Sequence, residues 1–429
     1  MFGVHFMSIR KTRENILIPR SVDIKLSPIE VAQSLRHLPG FLFFDTVNRS
    51  DECSFKDTLS IIGAMPDQVF RGHIVDQNNQ LRDYYDEVGN FRQHVDCGFP
   101  IGGLFGHIGF NGKYKFGDYS KLLVYLHERN EWIDIGGLSN FISSHPTNAT
   151  TINSLKFCGG MGEEAFCLMV EKAKEYIASG DIYQVNLSQR FEAEWPENKD
   201  PFDFFKALRE CSPAPYSVFH EFAGETIISS SPECFLSMSG PGISTRPIKG
   251  TRPRFNDPGD DERSAAELIT SPKEISELIM ITDLERNDLG KVCEFGTVRV
   301  SELLKLEKYA QVFHLVSTIE GRLKPTIDHL SALISCFPGG SISGAPKSRA
   351  LQIIDELETL PRDIYTGAIG YLGVNGESQF SIGIRTAYLR SGKLFLHAGA
   401  GIVADSDPQL EYQETLQKAS GFFQAAMSF

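Results

Sequence analysis

The sequence predicts a mixed fold, α/β or α+β, on three observations. Before residue 143, short apolar runs are punctuated by turn residues: GFLFFDTV, TLSIIGAM, QVFRGHIVD and KLLVYLHE. After residue 162, segments with helical spacing alternate with strand-like ones. That alternation lacks a regular strand–helix–strand period, which disfavours a Rossmann sheet or a barrel.

The early runs read as strands, because apolar residues alternate or cluster between turn signals. Ser143 to Gly162, rich in Ser, Thr, Asn and Gly, reads as a connector. Glu164 to Ser179 carries apolar residues at helical spacing and stops at Gly180. Asp181 to Trp195 alternates as a strand does. Ser264 to Leu289 reads as one long helix with charges along one side. Gln379 to Ile402 contains two strand-like runs joined at Arg390-Ser391-Gly392-Lys393, and Gln409 to Met427 closes the chain as a helix.

Composition narrows the functions. The chain has 429 residues, 42 Lys plus Arg against 55 Asp plus Glu, and a net charge of −13. Nucleic-acid binding needs clustered cations, so no nucleic-acid partner is expected. No run of 18 apolar residues occurs and the start lacks a signal-peptide pattern, so neither a membrane span nor secretion is expected. The eight cysteines are scattered without a CxxC pair. That pattern disfavours zinc and a disulfide framework, and points to a soluble cytoplasmic protein.

Four local patterns carry chemistry. Gly339 to Ser348 is glycine-rich, but Ala345-Pro346 separates Gly344 from Lys347, so it is not a phosphate loop. It reads as a turn with Pro346 opening a helix, whose N-terminus could hold an anion. Gly399-Ala400-Gly401 follows a strand and would let backbone N–H groups approach a ligand. Glu274 with Glu277, and Glu411 with Glu414, share a helix face at a spacing of three. Such pairs are common on solvated helices, but two facing pairs would suit a hard cation such as Mg²⁺. Lys249 lies in a loop stiffened by Pro247 and Pro253 and crowded by Arg246, Arg252 and Arg254. It is either a solvated lysine or a nucleophile primed by its neighbours. Glu233, in the turn Ser231-Pro232-Glu233, is a candidate general acid.

Together these segments resemble the chorismate-utilising enzymes, closest to the aminodeoxychorismate synthase component I branch. The matching blocks include GDIYQVNLSQRF (180–191), SSPECFL (230–236), TRPIKGTRPR (245–254) and MITDLERNDLGKV (280–292). They continue with HLVSTIEG (314–321), FPGGSISGAPKSRA (337–350), IYTGAIGYLG (364–373), IGIRT (382–386) and AGAGIVADSDPQLEYQETLQKA (398–419). They run in family order from about residue 160 to the end, while residues 1–150 match loosely.

The resemblance implies two packed β-sheets flanked by helices, as in anthranilate synthase component I. It implies an amino-terminal part (1–150) packed on a chorismate-binding core (160–429). It further implies chorismate as substrate and Mg²⁺ as cofactor. Glu277 and Glu414 would be direct ligands, with Glu274 and Glu411 in the water shell. Backbone groups of Gly399-Ala400-Gly401 would assist the ring carboxylate. Tyr365 and Arg385 would grip the enolpyruvyl carboxylate, His314 would sit beside the ring, and Lys418 would lie on the substrate side. Ser343 stands where relatives usually carry Thr.

Two positions separate the reactions within the family. Gln184 replaces the lysine base of the relatives that add water, which disfavours isochorismate chemistry. Lys249, in PIKGT where anthranilate synthases typically read PIAGT, marks the aminodeoxychorismate synthase branch. There the product is 4-amino-4-deoxychorismate, on the way to para-aminobenzoate and folate. No fused glutaminase is recognisable, so ammonia is expected from solution or from a separate glutamine amidotransferase subunit. Leu278 stands where His or Asn is common. Phe43-Phe44-Asp45-Thr46 replaces the LLES element, so tryptophan feedback is not expected. The alternatives are anthranilate synthase component I and a non-catalytic chorismate- or amino-acid-binding regulator.

Overall fold

The early apolar runs form strands Leu42–Asp45, Leu59–Gly63, Gln68–His73 and Leu122–Leu126. They belong to a computed structural model that describes residues 17–47, 58–76, 80–89, 97–142, 154–222, 224–309 and 311–428. The described strands form two antiparallel sheets, one of twelve strands and one of ten. Both sheets mix early and late segments of the chain. Leu42–Asp45 pairs with Tyr216–Phe222 in the larger sheet, and Gly103–Ile108 pairs with Ala368–Gly373 in the smaller.

Inner faces of the sheets meet around aromatic side chains: Phe44 of the larger sheet packs edge-on to Phe105 of the smaller at 5.9 Å. Helices cover the outer faces. Pro201–Cys211 and Pro408–Ser428 bury Phe202, Phe205 and Phe422 on the larger sheet, and Pro272–Val292 buries Leu289 and Val292 on the smaller. Each such side chain stabilises the fold by about 1.5–3 kcal/mol.

The helices expected at Glu164–Ser179 and Gln409–Met427 form as Glu163–Ala178 and Pro408–Ser428. Most of the expected connector, residues 143–153, lies outside the described residues. Two expectations need correction. The long helix from Ser264 is two helices, Pro258–Thr270 and Pro272–Val292. Pro272 disfavours helical geometry at Ser271 and opens the second helix itself, while the Ser271 side chain accepts from the Glu274 N–H. The two runs after Gln379 are three strands: Glu377–Ile382, Thr386–Arg390 and Lys393–Ile402. The expected turn joins the last two, with Ser391 at φ 53° and Gly392 at φ 73°.

The unforeseen break matters for the site. Between Ile382 and Thr386 the chain leaves the smaller sheet for the larger, and Arg385 sits at the crossing with φ 46°. A second crossing lies beside it. Strand Glu225–Ser231 belongs to the larger sheet and Cys234–Ser239 to the smaller, with Glu233 between them. The crossings are hydrogen-bonded together, Ile382 N–H to the Glu233 carbonyl at 3.1 Å and Ser230 N–H to the Arg385 carbonyl at 2.9 Å. Glu233 and Arg385 are therefore fixed at one seam between the sheets.

Candidate active site at the seam between the sheets

Four glutamates converge at one end of the seam. Glu274 and Glu277 come from Pro272–Val292, Glu411 and Glu414 from Pro408–Ser428. Burial raises the Glu277 carboxyl above its ordinary range; Lys249 and Lys273 oppose this, while Glu274 and Glu414 push further up. Glu411 is likewise raised, first by burial and then by Glu414 against the help of Ser406 and Lys273. Glu414 goes the other way. Burial pulls it up, but Lys418, Lys273 and Lys249 together outweigh that. The two carboxylate pairs therefore feel one another across the gap between the helices.

Among the described residues, no group of three or more His, Cys, Asp or Glu forms a ready-made metal shell. A Mg²⁺ ion needs none, because it keeps several waters and takes one or two carboxylates. The donor set is hard oxygen, and the buried Oε2 of Glu411 has no hydrogen-bond partner. These residues fit a hydrated divalent cation.

Lys249 faces this cluster from the strand Ile248–Pro253, its Nζ 3.8 Å from Oε2 of Glu277. Gly250, at φ +74°, lies in an irregularity of the ladder between Lys249 and Thr251, the kind of feature that re-aims a side chain. On the facing strand, a Cβ at Gly401 would lie 3.7 Å from Lys249 Nζ and 2.4 Å from Gln184 Nε2. A larger residue there would have to displace the Gln184 amide.

Glu233 is buried, and that burial raises its carboxyl above the ordinary range. Ser341, the backbone of Ile248 and the charges of Lys249 and Lys418 offset part of the rise. A buried carboxyl that holds its proton can act as an acid. His314 lies on Val312–Arg322, with Nδ1 3.0 Å from the Thr251 hydroxyl. Burial, then the charge of Arg385, push its imidazole down to about 3, so it is neutral.

The anion-gripping residues close the other side. Arg385 makes no ion pair with a carboxylate among the described residues, and burial pulls its guanidinium below the usual range. A cation left without a counter-ion in such a place awaits an anion, and its planar fork suits a carboxylate. Tyr365 is buried, and a Cβ at Gly399 would lie 2.6 Å from its hydroxyl. Strand Lys393–Ile402 pairs with Gln184–Glu194 along its whole length, but with Thr386–Arg390 only through Leu396. From His397 onward one edge is not paired with a strand, which leaves backbone groups of Gly399-Ala400-Gly401 for a ligand. Lys418 Nζ donates to the Gly399 carbonyl at 3.0 Å and pairs with Glu414 at 2.6 Å.

Some sequence expectations look different in place. Pro346 does precede the helix Lys347–Leu357, but Lys347 donates to the Pro338 carbonyl at 2.7 Å and the Cys336 carbonyl at 3.1 Å. It also pairs with Asp288, so it fastens the turn. Ser343 donates its hydroxyl to the Gly339 carbonyl at 2.9 Å, which leaves its lone pairs for a ligand. Leu278 is buried with Leu268, Phe313 and Leu315, so it packs behind the site. Lys273, absent from the sequence reading, faces Glu411, Glu277 and Glu414. Its four-residue spacing to Glu277 was the available signal.

A cavity of about 1060 Å³ lies between the sheets and shares Pro232 and Ile248 with the seam. Phe44, Asp45 and Thr46 line it. Its buried Asp45 is already matched: it pairs with Arg209 at 2.7 Å and accepts from Ser60 at 2.5 Å.

Comparison with known proteins agrees with this geometry. Residues 120–424 match the family described as chorismate binding enzyme. The chain is 46% identical over 273 residues to anthranilate synthase component 1 of Acetivibrio thermocellus, covering 64% of this chain and 55% of that protein. It is also 46% identical over 263 residues to aminodeoxychorismate synthase component 1 of Bacillus subtilis, covering 61% and 56%. The matches thus span just over half the length of these relatives. Anthranilate synthase component I from Streptococcus pneumoniae superposes with a TM-score of 0.76 at 31% identity, over 87% of this chain and 94% of that one. The menaquinone-specific isochorismate synthase of Escherichia coli shares the fold at a TM-score of 0.77 and 18% identity, over 96% and 94% of the two chains. With that family match covering most of its length, this chain belongs to the chorismate-binding enzymes.

Proposed function

We propose that the chain is the chorismate-aminating component of aminodeoxychorismate synthase, forming 4-amino-4-deoxychorismate on the route to para-aminobenzoate and folate. One observation carries the choice: Lys249 Nζ lies at Gly401, 3.8 Å from Glu277. Its charge also reaches the buried acid Glu233. The two relatives named above divide between amination routes at equal identity, so residue 249 decides rather than overall similarity.

In this reading Arg385 and Tyr365 hold the enolpyruvyl carboxylate, and the unpaired edge at Gly399-Ala400-Gly401 receives the ring carboxylate. Glu277 and Glu414 would hold Mg²⁺, with Glu274 and Glu411 touching its waters. Its chemistry there is compensation of the substrate's negative charge. The amine nitrogen of Lys249 forms a carbon–nitrogen bond to the ring as the C4–oxygen bond breaks. The hydroxyl leaves as water with a proton from Glu233. Ammonia then forms the C4–nitrogen bond as the lysine–ring bond breaks, and Lys249 returns as an amine. Neutral His314 stands beside the departing hydroxyl.

The ammonia would come from a separate glutamine amidotransferase subunit. The test is incubation with chorismate, Mg²⁺ and ammonium, with the product identified by mass. Aminodeoxychorismate is expected from ammonium and not from glutamine supplied to this chain alone. Anthranilate as the sole product would overturn the reading, and turnover of glutamine by the purified chain would remove the separate subunit.

A further inference from the structure

Glu285 has no part in the chemistry above, yet it is buried at 3% exposure. It lies on Pro272–Val292, the helix of Glu277, eight residues further on, or about 12 Å along the axis. Its Oε1 accepts two successive backbone donors, Gly340 N–H at 2.9 Å and Ser341 N–H at 3.3 Å. These open the short helical turn Gly340–Ile342. The approach is close: a Cβ at Gly340 would lie 3.1 Å from Oε1 and 2.6 Å from Leu284 Cδ2. The side chain of Ser341, held in this way, faces the carboxyl of Glu233 and eases its ionisation.

We propose that Glu285 is a positioning residue that sets the proton-holding state of Glu233 through the Gly340-Ser341 turn. The inference rests on the reading of Glu233 as the acid. Two effects are joined in it. The carboxylate fixes the turn that places the Ser341 hydroxyl on Glu233, and its negative charge opposes ionisation of Glu233. The groups facing Glu285 are Asp288 on its own helix, Lys347 from the helix Lys347–Leu357, Cys336 from His329–Cys336, and Glu233. Lys347 and Lys291 both pair with Asp288, which limits how far Lys347 can neutralise Glu285. Burial first, then Asp288, push the Glu285 carboxyl up to about 7, so its charge changes near neutral pH.

The experiment compares Glu285→Gln and Glu285→Ala with wild type, following loss of chorismate whatever the product. Gln keeps an oxygen for the two N–H groups and removes the charge; Ala removes both. Without the charge Glu233 ionises more easily, so the alkaline limb of kcat moves to lower pH. For Glu285→Gln, kcat is expected within about twofold of wild type at pH ~6.5 and about fivefold below it at pH ~8.5. Glu285→Ala shows the same limb shift with kcat about tenfold lower throughout, because the turn loses its anchor. In both, KM for chorismate stays within about twofold, since neither change touches the carboxylate grips. Variants whose pH profiles overlay wild type, or fall equally at every pH, would reduce Glu285 to a structural fastening and overturn the proposal.

A second readout does not need turnover. Carbon-13 NMR of carboxyl-labelled glutamate, with Glu233 assigned by Glu233→Gln, should show a lower titration midpoint for Glu233 in Glu285→Gln than in wild type. An unchanged midpoint would also overturn the proposal. Wild type inactive on chorismate alongside a lowered midpoint would sink the catalytic reading and leave the coupling standing.

Discussion

In the large cavity between the sheets, Asp45 is closed by Arg209 and Ser60, and Glu307 by Arg246 and the Tyr309 hydroxyl at 2.9 Å. At the seam, Arg385 makes no carboxylate ion pair among the described residues and Glu411 Oε2 has no hydrogen bond. The two hollows share a wall, yet the buried Arg246 of the first has carboxylate partners and Arg385 of the second has none among the described residues. A buried charge without a partner costs several kcal/mol, and a fold keeps it only where something else returns that cost. In the proposed reading, the return at the seam is a dicarboxylate substrate and a cation.

The contrast can be broken most sharply at Lys249. Lys249→Ala should lower ammonium-dependent loss of chorismate by roughly a thousandfold, about 4 kcal/mol of barrier, while thermal unfolding barely changes. Its side chain, 17% exposed, belongs to none of the apolar clusters of the core, so the fold depends little on it. A covalent lysine–substrate adduct, found by mass spectrometry in Glu233→Gln, would establish its role. Near-wild-type turnover of Lys249→Ala at ordinary ammonia would leave it as a guide for the departing hydroxyl.

Next in size are the carboxylates. Glu277→Gln and Glu414→Gln should each cost on the order of a hundredfold in kcat and weaken Mg²⁺ binding measured by calorimetry, because one of two direct charges is gone. Glu274→Gln should cost no more than about tenfold, acting through water. Equal losses at Glu274 and Glu277 would erase the distinction between touching and outer glutamates. Full wild-type activity after exhaustive chelation would remove the cation altogether.

Asp45 tests the other hollow. Asp45→Ala opens the pairing of a carboxylate that is 2% exposed, leaving Arg209 without its counter-charge. Arg209 keeps 27% of its side chain in solvent, so the loss should be about 2 kcal/mol rather than the larger figure for a fully buried pair. Denaturant unfolding should shift by that amount while kcat with ammonium holds. A fall in kcat with unchanged stability would make the large cavity part of the chemistry. Added tryptophan is expected to leave the rate unchanged, since Asp45 and Thr46 replace the Glu and Ser of the family's tryptophan element.

Much of this was legible in sequence because it is local. The helix Glu163–Ala178, the turn at Ser391-Gly392 and the two glutamate pairs each announce themselves within four residues. The break at Ser271-Pro272 was written there too, but the surrounding helical spacing masked it. What the residues could not disclose is which sheet a strand joins. Glu377–Ile382 and Thr386–Arg390 read as one run, yet they lie in different sheets, and the crossing at Arg385 is what sets its buried guanidinium opposite the acid turn. Glu285 escaped for the same reason: its partner, Gly340, comes from a distant segment, and no local pattern names it.

The smallest expected effect compares how the two regions bear protons. Burial pushes the imidazoles of His107 and His220 in the inter-sheet region, and of His314 and His397 near the seam, down to about 3 each. An unfolded histidine titrates near 6.5, so between pH ~6.5 and ~3 the unfolded chain holds a proton that the folded chain refuses. Each histidine therefore lowers stability by about 1.4 kcal/mol per pH unit as pH falls through that window. Raised carboxyls such as Glu285 act with the opposite sign, so the net slope is not diagnostic, but a difference between two proteins is. His397 stacks on Tyr365 at 5.4 Å and neither ring nitrogen makes a hydrogen bond, although the Pro361 backbone lies close. Phe can keep the stack and forfeits no bond. Stability of His397→Phe should therefore match or exceed wild type at pH ~7 and gain on it by about 1.4 kcal/mol for each unit below pH ~6. Parallel pH–stability curves would mean that His397 takes up its proton in the folded state, and that the seam is wetter there than its packing indicates.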